Sequence, residues 1–326
     1  LRDALSRRPE LGAVAAALVV WGFFALAAGE PFRSTLGIAA YLNAAAPLGI
    51  LAVAVSLLMI GGEFDLSVGS IIGFASMSLM LLTTHFNWPL WPAIAAVFVL
   101  SAGVGSFNGL LVVRTGLPSF IVTLGTLFAF RGLTIALSRH WTGRTQLGGL
   151  NSVPGYDPAR QLFASDLFGV FRVSIVWWLI LIAVATWVLL RTPLGNWIFA
   201  VGGDAQAARS AGVPVDRVKL GLFVTTALTA CLIAVLQTVR FTGADVLRGE
   251  LQEFRAIAAA VIGGTLLTGG YGSAVGAALG ALIFGMVQQG IVMTRVDADW
   301  FQVFLGIVLL AAVIVNHTLR QRALSA

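Results

Sequence analysis

Long apolar runs alternate with short polar or glycine-rich breaks along almost the whole chain. The runs are Leu11 to Ala28, Leu36 to Ile60, Ser67 to Thr84, Trp91 to Val113, Pro118 to Ser138, Val173 to Leu190, Leu220 to Val239, Ala256 to Leu267, Ala274 to Met293 and Trp300 to Val315. A helix needs about 20 apolar residues to cross a bilayer. The pattern therefore predicts an all-α polytopic membrane protein with about ten transmembrane helices. Ala256 to Leu267 is short for a full crossing. Gly116 and Pro118 separate the fourth and fifth runs, and Pro118 suits a helix start.

Composition strengthens this reading. Of 326 residues, 58% are hydrophobic and only 10% are charged, against about 25% charged in ordinary soluble domains. Lipid is the natural solvent for such a chain, and residues 1–326 read as one transmembrane domain with no separate soluble unit. Two longer polar stretches interrupt the runs. Arg139 to Arg172 carries Gly143, Gly148, Gly149, Pro154, Gly155 and Pro158, and reads as an external (periplasmic) loop with little regular structure. Arg191 to Lys219 is the second. Ten crossings place both termini on one side, and Arg2, Arg7, Arg8, Arg320 and Arg322 make that side the cytoplasm. The run after Arg7 and Arg8 is long for a signal core and many spans follow it, so it reads as a retained first helix.

The formal charge of +6 comes from scattered arginines, with Lys219 the sole lysine. No basic stripe alternates with aromatics, so nucleic acid is not an expected partner. Cys231 is the only cysteine, and His85, His140 and His317 lack metal-ligand spacing.

The segment Gly61 to Ser70 holds Glu63 and Asp65 between two apolar runs. Ionisable groups are costly inside a bilayer, so this segment should sit at a membrane surface or line a polar path. Asp65 or Ser67 is placed to cap a helix beginning at Val68. Arg131 lies well inside the fifth run, where it can pair within the bundle or meet a substrate. Asn43, Asn108, Ser119, Thr123 and Thr126 are polar positions in or near spans. They can bond between helices or line a path, with Thr123 and Thr126 on one helix face. Between Arg191 and Lys219, Asp204 to Gly212 reads as a short helix capped by Asp204 and stopped by Gly212. Two turns are too few to be stable alone in water, so this helix needs a partner surface.

Gly264 to Gly270 looks like a phosphate loop but lacks the lysine such a loop needs. No nucleotide site is expected in this chain, so active transport would draw on a partner or an ion gradient. The same region echoes an earlier one: Ile60-Gly61-Gly62 with Gly69-Ser70 and Gly73, then Ile262-Gly263-Gly264 with Gly272-Ser273 and Gly276. An internal repeat, common in transporters, and plain glycine-mediated helix packing both account for it.

Several stretches together resemble the branched-chain-amino-acid and ribose-type ABC permease family, on its monosaccharide branch. Gly61 to Ser70 is similar to the family's GG-I-DLSVGS motif. Asn108-Gly109 and Gly116 to Thr126 resemble its NG…G-x-P-x-FI-x-TLGT signature, with Arg131-Gly132 following. Thr192 to Gly195, Ala200 to Asp204, Ala207 to Arg209 and Gly212-Val213 resemble its cytoplasmic loop, and Ala256 to Gly272 its AIAA-VIGGT-SLSGG-G segment. Two departures stand out. Glu63-Phe64 occupies a place where one apolar residue is usual, and Arg255 replaces the usual Asp.

The resemblance implies a fold like that of type II ABC importers, in a bacterial inner membrane. It implies a dimer with a second permease copy or paralogue, a periplasmic sugar-binding protein, and a cytoplasmic ABC ATPase that binds ATP and Mg in place of this chain. Asp204, Ala208, Arg209, Gly212 and Val213 would couple to the ATPase. Asn43, Asn108, Phe120, Thr123, Thr126 and Arg131 would line the substrate path. Gly62, Asp65, Ser67 and Gly69 would form a gating or structural motif. Competing classes are an ion-coupled carrier, for which midplane ionisable groups are few, an amino-acid permease of the same superfamily, and a membrane enzyme, for which no nucleophile and base come together.

Overall fold

The computed structural model describes residues 9–297 and, beyond them, residues 300, 301, 303, 306, 307 and 310. The protein is an all-α polytopic membrane protein. Among the described residues, eight helices are long and apolar enough to cross a membrane. They are α1 (Pro9–Ala27), α3 (Thr35–Ile60), α4 (Val68–Met80, continued by a π turn to His85), α5 (Leu90–Thr115), α6 (Ser119–Thr142), α8 (Ser174–Arg191), α11 (Val215–Phe241) and α13 (Ala274–Met293). The eighth predicted run forms only α12 (Gln252–Ile262), half a crossing in length. The tenth, Trp300 to Val315, lies mostly outside the described residues.

Shorter helices lie between them: α2 (Glu30–Arg33), α7 (Tyr156–Phe163), α9 (Pro193–Gly203) and α10 (Ala205–Ser210). Side-chain caps set several starts. Ser34 Oγ accepts from the Gly37 amide, Thr192 Oγ1 from Gly195 and Ser273 Oγ from Gly276, each filling an amide that the helix leaves open.

Helices α3, α4, α11 and α13 are buried over most of their length, whereas α1, α6 and α8 turn most of their surface outward. Lipid offers little hydrophobic drive for helix association, so close packing of small residues takes over. Gly285 of α13 lies against the Tyr41 carbonyl and Ala45 of α3. Gly105 and Gly109 of α5 lie against Phe223, Ala227 and Leu220 of α11. Gly263, Gly276 and Gly280 bring α12 and α13 together. A methyl at any of these sites would collide with backbone or side chain.

The stretch after α6 is more ordered than its composition suggests. Helix α6 runs four residues past the expected Ser138, to Thr142. Strand β1 (Gln146–Gly148) then pairs antiparallel with β4 (Gly243–Asp245), Leu147 facing Ala244. After α7, β2 (Asp166–Leu167) and β3 (Phe171–Arg172) form a second pair. Strands of two or three residues carry no readable period, and β1 finds its partner about a hundred residues away, so the expectation of an irregular loop fails here. Asn43 anchors this end: its amide donates to the Val170 carbonyl and its oxygen accepts from the Arg172 amide.

The glycine echo has a structural counterpart. At the end of α3, the amides of Gly61, Gly62 and Glu63 donate to the carbonyls of Leu57, Met59 and Leu58. At the end of α12, Gly263, Gly264 and Thr265 donate to Ala259, Val261 and Ala260. Gly62 and Gly264 both take the left-handed conformation, at φ 83° and 91°. This is one helix stop of Schellman type made twice.

Candidate functional site

Two groups of the singled-out residues come together at the end of the bundle that carries α10. One is the exposed element α9–α10, and the other is the turn between α3 and α4.

Helix α9 starts at Pro193 under the Thr192 cap and buries Gly195, Ile198 and Val201. Helix α10 follows at once. Asp204 Oδ1 accepts from the amides of Gln206 and Ala207, both at 2.9 Å. Gly212, at φ 86°, ends the element. The expected short capped helix is therefore present. Asp204, Gln206, Arg209, Ser210 and Gly212 are exposed, while Ala208 is buried against the bundle and Val213 is half-buried. Of the expected coupling set, Asp204, Arg209 and Gly212 are the outward-facing members. Arg209 makes a paired contact with Asp216 of α11, at 2.5 and 3.3 Å, and the Asp216 carboxylate holds the guanidinium above its ordinary pKa. Beside this pair lies an open cavity of about 360 Å³, lined by Arg209, Val213, Pro214, Val215, Asp216 and Arg217.

The last turn of α9 is fused to the bundle through bare backbone. Gly202 sits on the Ile60 carbonyl at the end of α3 and next to Gly270, whose amide donates to that same carbonyl at 2.8 Å. Gly269 lies against Gly202 and Gly62, and Gly270 against Gly203. Three distant segments thus meet with no side chain between them. The phosphate-loop-like run 264–270 serves this packing.

The turn 61–67 reaches into a buried polar network. Phe64 N–H donates to Ser119 Oγ at 3.0 Å and Leu66 N–H to Thr123 Oγ1 at 3.1 Å, both on α6. Asp65 accepts from Thr226 Oγ1 of α11 at 2.9 Å, and from the Ser67 amide and hydroxyl at 2.9 and 2.5 Å. Asn108 of α5 donates to Ser67 Oγ at 2.8 Å. Asp65, Ser67, Asn108, Thr123 and Thr226 are all buried. Neither Asp65 nor Ser67 caps α4, contrary to the expectation: Ser67 stands at the cap position, but its hydroxyl is turned to Asp65. Glu63 forms an ion pair with Lys219. A methyl at Gly69 would strike the Gly249 backbone carbonyl as well as the end of the Glu253 side chain.

The expected path residues do not share one lining. Asn108 and Thr123 belong to this network, and Thr126 bonds only within α6, to the Thr123 carbonyl. Asn43 holds the β2–β3 pair. Arg131 donates from Nη1 to the carbonyls of Val246 and Arg248, at 3.3 and 3.2 Å, so its guanidinium is held within the protein. Phe120 is half-exposed on α6. Farther along, Arg248 is lowered from its ordinary pKa chiefly by burial, against the pull of Asp245, and it donates to the Gly243 carbonyl at 2.7 Å. Sequence reasoning missed Gly202, Thr226 and the Glu63–Lys219 pair. A sole lysine and an extra carboxylate were the available signal for the last.

Residues 37–313 match the family described as branched-chain amino acid transport system / permease component. The chain belongs to this family. Among the permease's relatives is the xylose transport system permease protein XylH of Escherichia coli K12, 29% identical, with 95% of this chain and 92% of the relative covered. Another is the autoinducer 2 import system permease protein LsrC of Escherichia coli O9:H4, 34% identical over 83% of this chain and 76% of the relative. No solved structure matches the permease. The resemblance carried by the sequence motifs thus holds at the level of the family, whose description is that of the permease component of a transport system.

Proposed function

We propose that this permease is the transmembrane subunit of an ABC importer that carries a monosaccharide or related polyol inward, on ATP hydrolysed by a partner subunit. The observation that carries this reading is α10: a six-residue capped helix, mostly exposed, and fused through Gly202 and Gly203 to the ends of α3 and the 263–273 turn. A helix so short is marginal by itself, and here it is held rigid where a second protein can press on it. Xylose in the name of one relative supports a sugar. In this reading the whole chain is one permease domain, with 191–219 cytoplasmic, 139–172 periplasmic and both termini in the cytoplasm of a bacterial inner membrane. It works as a dimer with a second copy or paralogue, beside an ATPase that holds ATP and Mg and a periplasmic sugar-binding protein. Phe120, on the exposed face of α6, is the path residue this arrangement leaves free to meet substrate.

The family description favours one alternative, an amino-acid substrate. Proteoliposomes with the permease, its copurifying ATPase and its binding protein separate the two, using radiolabelled D-xylose, D-ribose and L-leucine as probes. A pentose should accumulate only with Mg-ATP inside and should ignore a protonophore. Accumulation of leucine alone establishes the alternative, and proton-driven uptake without the ATPase overturns both.

A further inference from the structure

The first two turns of α11 carry two ion pairs. Asp216, in its first turn, binds Arg209 of α10. Lys219, three residues on and so on the same face, binds Glu63 of the 61–67 turn. The two pairs differ in setting. Side chains of the first are 61% and 50% exposed, whereas those of the second are 21% and 9% exposed. An exposed pair contributes little to stability. The inner pair is different, because removing one partner leaves a charge buried and unmatched.

Glu63 also stands where the sequence departs from the family pattern, and Lys219 is the only lysine in the chain. The backbone at Glu63 is fixed by its bond to the Leu58 carbonyl. From Glu63 the turn runs directly to Asp65, which binds Thr226 two turns farther along α11, and to Phe64 and Leu66, which bind α6. The contacts of the turn thus spread to α5, α6 and α11. A displacement of α10 reaches α11 through the Arg209–Asp216 pair, and the backbone of α11 joins that pair to the Lys219–Glu63 pair on the turn.

We propose that Lys219 and Glu63 are positioning residues for transport, a side-chain tie that acts beside the Gly202–Gly62 backbone contact to carry movement of the α9–α10 element to the 61–67 turn and the buried network behind it. This rests on the importer reading above. The pair neither binds substrate nor touches nucleotide. It holds two elements in register while the ATPase moves one of them.

The test compares variants in the full reconstituted complex, with the probe among D-xylose, D-ribose and L-leucine that the wild-type complex accumulates. Three quantities are read: ATP hydrolysis, probe accumulated per ATP hydrolysed, and the thermal unfolding midpoint. The neutral pair Glu63→Gln with Lys219→Met leaves no unmatched charge, so its midpoint should stay near that of the wild type. Its accumulation per ATP should fall about tenfold. Lys219→Arg should keep most of the ratio, and the exchanged pair Glu63→Lys with Lys219→Glu should recover at least half. A neutral pair with the wild-type ratio overturns the tie. So does a ratio that falls only in step with the unfolding midpoint, or Lys219→Arg behaving like the neutral pair. If the wild-type complex accumulates no probe with ATP, the importer reading fails and the tie with it. Wild-type accumulation with unchanged variants sinks the tie alone.

Discussion

At the scale of single residues, glycine carries much of the design, and it does so through what a methyl group would strike. Gly202 is the clearest case. A β-carbon there would overlap the Ile60 carbonyl and crowd the Gly270 amide, both backbone atoms that cannot swing aside. Its neighbour Gly203 has open space around the same position. Gly202→Ala should therefore cost about 3 kcal/mol, toward the upper end for overpacking a tight site. Gly203→Ala should be close to neutral, since alanine also favours helix. Thermal unfolding in detergent distinguishes them: the midpoint drops sharply for the first and hardly moves for the second. Equal drops would mean that the three backbones do not meet as described. Asp65 shows the complementary logic. A buried carboxylate is tolerated because its oxygens are matched by hydroxyls and an amide, and that need, rather than helix capping, fixes Ser67, Thr226 and, through Ser67, Asn108.

At the scale of elements, what could be read from the sequence depended on whether the determining contacts are local. Helix α10 was legible because its signals lie within nine residues: Asp204 as cap and Gly212 as stop. The long apolar runs were legible for the same reason, since length alone identifies them. Start points were less so. Helix α11 begins at Val215, directly after Pro214 and five residues before the apolar run, where the polar residues Asp216, Arg217 and Lys219 hide its first turns from a hydrophobicity reading. The strands β1 and β4 were not legible at all, being defined by pairing across α7 to α11. The polar residues of the spans were found, but their partners were not, because which hydroxyl meets which carboxylate depends on helix rotation. The cap of α10 offers a direct check. Asp204→Ala removes the acceptor for two amides and should destabilise this end by about 1 kcal/mol. Amide exchange across 205–210 should quicken severalfold, while that of α11 stays slow. Unchanged exchange would show that packing of Ala208, not the cap, holds the helix.

At the scale of the whole molecule, everything depends on which end faces the cytoplasm. Helix α10, the ion pairs of Asp216 and Lys219 and the glycine junction cluster at one end, and α7 with the two strand pairs lies at the other, where Arg240 of α11 pairs with Asp166. Helix lengths support such a separation: α5, at 26 residues, extends about 39 Å at 1.5 Å per residue, more than the roughly 30 Å hydrocarbon core. Ser152 and Ser210 are exposed at opposite ends, and the one native thiol, Cys231, is buried and gives no competing signal. In intact cells a membrane-impermeant maleimide should label Ser152→Cys after crossing only the outer membrane. It should label Ser210→Cys only once the inner membrane is opened. The opposite pattern would put α10 out of reach of any cytoplasmic ATPase, and with it the proposed source of energy. Labelling of both sites in intact cells would mean that the described spans do not hold the two ends in separate compartments.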